Sequence, residues 1–158
     1  MKQNDVHKDI FFYYWYNRNM ESIISLLTPK KITAFLLDIS TVRQALEKFD
    51  AHKYSVVPLV DLEGHYVGTL SEGDILRFIK NQSNFNIKLA ENMLVRDIDH
   101  YRPYQAVKVD ALISEVFALS LEQNFIPVVD DNGVYIGIIT RKEVIKHLSE
   151  KIDFKYKD

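Results

Sequence analysis

The chain has 158 residues, 47% of them hydrophobic and 27% charged, with a formal net charge of −2. That balance suits one globular unit or two small ones, and it argues against broad electrostatic binding of nucleic acid. The lack of cysteine excludes disulfides, thiolate metal sites and cysteine nucleophiles, and is compatible with a reducing cytosol.

At the N-terminus, Ile10 to Tyr16 is apolar and aromatic. It is too short for a membrane span and lacks the h-region and cleavage site of a signal peptide. A cytoplasmic protein with no membrane or nucleic-acid partner is therefore expected. Residues 1–28 read as an extension. Residues 1–19 are open to three readings: a loosely attached arm, an aromatic arm packed on another subunit, or a stretch upstream of a native start at Met20. Met20 to Leu27 reads as a short helical stretch with Ile23, Ile24 and Leu27 on one side, stopped before Pro29.

The next unit spans 29–81. Thr33 to Leu36 is a brief apolar run that suits a first strand. Ser40 or Thr41 then caps a helix whose face is Val42, Ala45, Leu46 and Phe49. Two apolar runs, Val56 to Val60 and Tyr66 to Leu70, flank Leu62-Glu63-Gly64, which is a hairpin signal. A second helix follows from about Glu72 to Lys80, with Ile75, Phe78 and Ile79 inward. Residues 82–103 read as a linker. Ile87, Leu89, Met93, Leu94 and Ile98 suggest that it is packed, since a structureless stretch of this length is unusual inside a compact protein.

Residues 104–150 repeat the plan. Asp110 is the expected cap of a helix with Leu112, Val116 and Leu119 on its face. Residues 151–158 are polar and read as a frayed tail. The hairpin itself is written twice. Pro58 recurs as Pro127, Asp61 as Asp130, Gly64 as Gly133 and Gly68 as Gly137, each 69 positions on. Ser71 recurs as Thr140 and the acid Asp74 as the acid Glu143. Each hydroxyl sits where a helix N-cap belongs, and each acid falls three residues later, which makes a capping box. Internal repetition of this kind fixes architecture before any local assignment.

The twice-written run, Pro-Val-Val-Asp or its close variant followed by Gly, Ser or Thr, two residues and an acid, resembles the CBS domain. That domain usually occurs as a tandem pair called a Bateman module. The resemblance implies an α/β (α+β) fold of two pseudo-symmetric β-α-β-β-α repeats packed sheet to sheet, with two symmetry-related clefts between them. It also implies a regulatory role without catalysis. An adenosine-containing ligand (AMP, ADP, ATP, S-adenosylmethionine or a cyclic dinucleotide) would bind between the repeats. About 30 residues lie outside the pair, so the output would come in trans, through a homodimer of modules and an effector protein. The alternative is a ligand-free interaction module whose capping boxes are structural only.

In such pairs the acid after the capping hydroxyl typically holds the ligand's ribose. Asp74 with Ser71 matches the pattern, while Glu143 with Thr140 is longer by one methylene. By resemblance, the Asp74 cleft would be closed by Gln105, Ala106, Asn124, Ile126 and Pro127. The Glu143 cleft would be closed by Thr33, Ala34, Tyr54, Ser55 and Pro58. Arg141 and Lys142, beside the second cap, are the leading phosphate contacts, with Arg102 and Lys53 behind them. Taken singly, each of these residues also has an ordinary role as cap, core or solvated charge.

No catalytic constellation, metal site or cofactor is expected. The five histidines are scattered without metal-ligand spacing. No phosphate loop of the GxxxxGK or GxGxxG kind occurs, and there is no nucleophile elbow.

Overall fold

The computed structural model describes residues 22–100 and 103–155. The expectations for residues 1–19 and for Arg102 lie outside the described residues. Among the described residues, two sheets are built from seven strands: β1 (Thr28–Pro29), β2 (Leu36–Leu37), β3 (Val56–Val60), β4 (Tyr66–Ser71), β5 (Val107–Lys108), β6 (Phe125–Val129) and β7 (Tyr135–Thr140). Among the described residues, four helices cover them: α1 (Val42–His52), α2 (Glu72–Lys80), α3 (Ile113–Glu122) and α4 (Arg141–Lys155). Each half of the chain thus runs β-α-β-β-α, as the sequence predicts.

The two hairpins are one design used twice. Asp61 Oδ1 accepts from the N–H groups of Glu63 and His65 at 2.9 and 2.8 Å. Asp130 Oδ1 accepts from Asn132 and Val134 at 2.9 and 2.8 Å. Gly64 and Gly133 close these turns at φ of 96° and 82°, a region that costs glycine little. In each repeat the first strand lies parallel to the second, which pairs antiparallel with the third.

The hairpins also meet each other. Tyr66 N–H donates to Gly133 O at 3.1 Å, and Tyr135 N–H donates to Gly64 O at 2.9 Å. The repeats are thereby joined about a pseudo-twofold axis that passes beside the Tyr66 and Tyr135 rings, whose centroids are 6.4 Å apart.

The sheet order adds a feature that the sequence did not signal. β1 precedes the first repeat yet pairs antiparallel with β7 of the second, Thr28 opposite Ile138 and Pro29 opposite Gly137. Ile23 and Leu26, on a 3-10 turn just upstream, sit in the core of the second repeat with Val107, Val116, Ile126, Val128, Ile139 and Val144. The linker does the reverse. Ala90, Val95 and Ile98 are buried in the core of the first repeat with Val42, Ala45, Phe49, Val57, Leu59, Leu70 and Ile75. Val42 N–H and Val95 N–H tie the two segments through Met93 O and Ser40 O. Each repeat is therefore completed by the segment that leads into the other.

Several local expectations are corrected. The first strand of repeat one begins at Leu36, because Thr33 to Phe35 is spent on crossing toward β7. Of the Met20–Leu27 stretch, the described part is a 3-10 turn over Ile23–Leu26 that buries Ile23 and Leu26 and leaves Ile24 exposed. Asp110 does not cap α3: it lies in a tight turn closed by Ala111 N–H to Lys108 O, and Leu112 is the exposed N-cap. Ile113 takes the core position expected of Leu112. The polar C-terminal stretch continues α4 to Lys155.

Candidate ligand cavity beside Asp74

The N-terminus of α2 is a complete capping box. Ser71 Oγ accepts from Asp74 N–H at 3.1 Å, and Asp74 Oδ2 accepts from Ser71 N–H at 2.9 Å and from Ser71 Oγ–H at 2.6 Å. Its second oxygen, Oδ1, accepts from Arg77 Nη2 at 2.5 Å, one helical turn on. The carboxylate is 6% exposed and the arginine 51%. Gly73 lies under this bridge, and a Cβ there would come within 3.4 Å of the Arg77 guanidinium.

Asp74 opens on a cavity of about 430 Å³. Its walls are α2, through Asp74, Arg77 and Phe78, the residues that follow it, Asn81 and Gln82, and the far end of the linker, through Asp97, Ile98 and Asp99. A buried carboxylate with guanidinium, amide and aromatic groups around one space is what a small polar ligand needs for orientation. Oδ2 thus holds two donors from the cap, and Oδ1 holds Arg77.

The residues expected to close the Asp74 cleft do not line this cavity. None of Gln105, Ala106, Asn124, Ile126 and Pro127 is among its walls. Ile126 alternates toward the helices and lies in the core of the second repeat. Pro127 is buried on β6 opposite Ile138. Asn124 O accepts from Arg141 N–H at 2.9 Å, beside the cap of its own repeat. Gln105 is held by Gln123, whose Oε1 accepts from Gln105 N–H at 2.7 Å and whose Nε2 donates to Gln105 O at 3.0 Å. Ala106 is half-buried between that strap and β5.

At the second cap, Thr140 Oγ1 accepts from Glu143 N–H at 3.2 Å, and Glu143 is half-buried. Ser55 stands at the first cap: its carbonyl accepts from Glu72 N–H at 3.1 Å. Tyr54 is exposed and stacks on His52, and Pro58 is buried opposite Thr69. Thr33 does reach the second repeat, with its Oγ1 3.1 Å from the Tyr135 hydroxyl, and Ala34 follows it, half-buried.

The cationic candidates divide. Arg141 Nε donates to Ser120 O at 2.7 Å and Nη2 to Leu121 O at 3.5 Å. Its charge thus rests on the last carbonyls of α3, where unpaired C=O groups and the helix dipole favour a cation. Lys53 is the left-handed C-cap of α1 at φ 54°, with Nζ 2.7 Å from Asp50 Oδ1. Lys142 is exposed.

Two tyrosines that the sequence did not single out join the repeats. The Tyr66 hydroxyl donates to Tyr104 O at 2.6 Å, holding the segment that leads into repeat two. The Tyr135 hydroxyl meets Thr33, in the segment that leads through repeat one. Burial is the main cause that pushes both phenols up, Tyr135 to about 12, so both stay protonated in neutral solution. Their signal was available: they hold the same place in the two copies, two residues before Gly68 and Gly137.

Among the described residues, Asp61, Glu63 and His65 place ligand atoms within 4.8 Å of one another. Asp61 is already engaged there, with Oδ1 on two turn N–H groups and Oδ2 3.0 Å from His65 Nδ1. No helix among the described residues is long and apolar enough to cross a membrane.

The CBS domain family model matches residues 29–81 and 95–150. Homoserine O-acetyltransferase of Methanohalophilus mahii is 30% identical over 109 residues, which cover 65% of this chain and 21% of that protein. The chain spans half or less of the length of the curated relatives it matches first. A CBS domain protein of Streptococcus pneumoniae superposes with a TM-score of 0.74 at 25% identity, over 95% of this chain and 99% of that one. The structure of CBSX2 in complex with AMP gives a TM-score of 0.65 at 25% identity, over 82% and 96% of the two chains.

Proposed function

Since the chain belongs to the CBS domain family, as a tandem pair of its repeats, we propose that it is a regulatory module that binds an adenosine-containing ligand in the cavity beside Asp74. The observation that carries this reading is a buried carboxylate, oriented by its capping box, on the wall of a cavity about 430 Å³ in volume. The AMP complex of CBSX2 supports the choice of ligand class. The ribose would hydrogen-bond to Asp74 Oδ1, and the base would lie along Phe78 and the amides of Asn81 and Gln82.

A ligand here bears on the junction of the repeats. The linker that forms one wall buries Ile98 in the first core. It then continues to Tyr104, whose N–H donates to Thr69 Oγ1 at 3.0 Å and whose carbonyl accepts from Tyr66. A ligand that prefers one setting of this wall shifts the angle between repeats, and a partner protein or a second copy reads the change.

Thermal melts of the full chain with AMP test the proposal, because a ligand that binds only the folded state raises the melting temperature. A rise with wild-type protein, lost in Asp74→Ala, is expected. Thr41→Ala supplies the control. It breaks the same kind of capping box on α1, costs the same ~0.5–2 kcal/mol of a lost cap, and should keep the full AMP shift.

A second reading has an observation of its own. Both oxygens of Asp74 already have protein partners, which suits an interaction module whose caps are structural only. Melts unchanged by every adenosine compound would favour it.

A further inference from the structure

Resting on the adenosine reading above, we infer that Asp97 and Asp99 set the charge specificity of the Asp74 cavity: they reject polyphosphates and favour an adenosine ligand that is neutral or positively charged. The cavity walls carry three carboxylates, Asp74, Asp97 and Asp99, against one guanidinium, Arg77. Arg77 is bridged to Asp74, so among the lining residues Asp97 and Asp99 carry the excess negative charge. Among the described residues, neither forms a salt bridge. The other walls, Phe78, Asn81, Gln82 and Ile98, carry no charge.

A triphosphate placed with its ribose on Asp74 would bring up to four negative charges into a space already holding two in excess. Like charges a few ångströms apart repel even in water, and more strongly between protein walls. A sulfonium with an ammonium group, as in S-adenosylmethionine, meets the same carboxylates as attraction.

Calorimetric titration of the full chain with adenosine, AMP, ATP and S-adenosylmethionine reads this directly. Wild-type protein should bind S-adenosylmethionine and adenosine about tenfold or more tightly than ATP, and the Asp97→Asn, Asp99→Asn double variant should narrow that gap about fivefold. The change should track ligand charge, larger for ATP and S-adenosylmethionine than for adenosine, which carries none. Both side chains are exposed, so the variant is expected to fold. A salt series on wild-type protein gives the same answer without mutation, the gap closing as ionic strength rises. ATP binding as tightly as S-adenosylmethionine, or a gap indifferent to both the substitutions and the salt, overturns the inference and leaves adenosine sensing intact. Binding of no adenosine compound, adenosine included, overturns both.

Discussion

At the scale of single residues, the same side chain can be a cap, a tether or a ligand contact, and only its partners decide. Asp74 and Ser71 were legible because a capping box is local: four consecutive residues contain all of it. Arg141 was not, because the carbonyls it reaches belong to Ser120 and Leu121, on another helix. Arg141→Gln should therefore cost about 1 kcal/mol of stability, the scale of lost hydrogen bonds and a lost dipole contact. AMP affinity should be unchanged, and a large rise in Kd by calorimetry would return Arg141 to the ligand. Asp61 gives a pH test. Burial works to raise its pKa, but hydrogen bonds from the His65 backbone and ring, the His65 charge and the Glu63 N–H hold its carboxyl below the usual range. Its folded pKa is thus depressed. The stability it contributes is fully present above the unfolded value of about 3.9 and is lost as pH falls through the lower folded value. Asp61→Asn keeps an acceptor for the turn and removes the charge, so melting temperatures measured from pH 5 down to pH 2.5 should fall less steeply in the variant.

At the scale of elements, the hairpins were the most legible part of the chain, since strand, turn and strand are contiguous and carry their own period. The α3 cap was misread because Asp110 has the right residue type and is used instead in the turn before it. Gly68 and Gly137 are equivalent in sequence and have φ of 146° and 157°, where a side chain is strained by about 1–3 kcal/mol. Their surroundings differ. A Cβ on Gly68 would lie 3.7 Å from Pro103 Cβ, an ordinary contact, while one on Gly137 would lie 2.2 Å from the Thr28 carbonyl. Gly137→Ala must expel β1 from the sheet. It should destabilise by about 2 kcal/mol more than Gly68→Ala in denaturant titration, the scale of overpacking added to the shared strain. Equal costs would mean that β1 contributes little.

At the scale of the whole molecule, the pairing of two repeats was legible from duplication alone, and the exchange of their leading segments was not. β1, β2 and β5 have two residues each, too few to show a period, and nothing in the sequence says which sheet a two-residue strand will join. The exchange makes a crossed prediction. Ile23→Ala and Ile98→Ala each remove a buried side chain, at about 2–5 kcal/mol. By hydrogen exchange, Ile23→Ala should lower protection first in β6 and β7, and Ile98→Ala first in β3 and β4. Protection lost in the repeat adjacent in sequence would contradict the exchange.

The interlocked cores also bear on what a protease would leave behind. A single cut in the polar loop at Gln82 to Asn84 severs the backbone at the start of the linker, just after α2. The C-terminal fragment would still carry Ala90, Val95 and Ile98 into the N-terminal fragment's interior, and Ile23 and Leu26 would be held in return. The nicked protein should run as two bands on a denaturing gel and as one species through a sizing column.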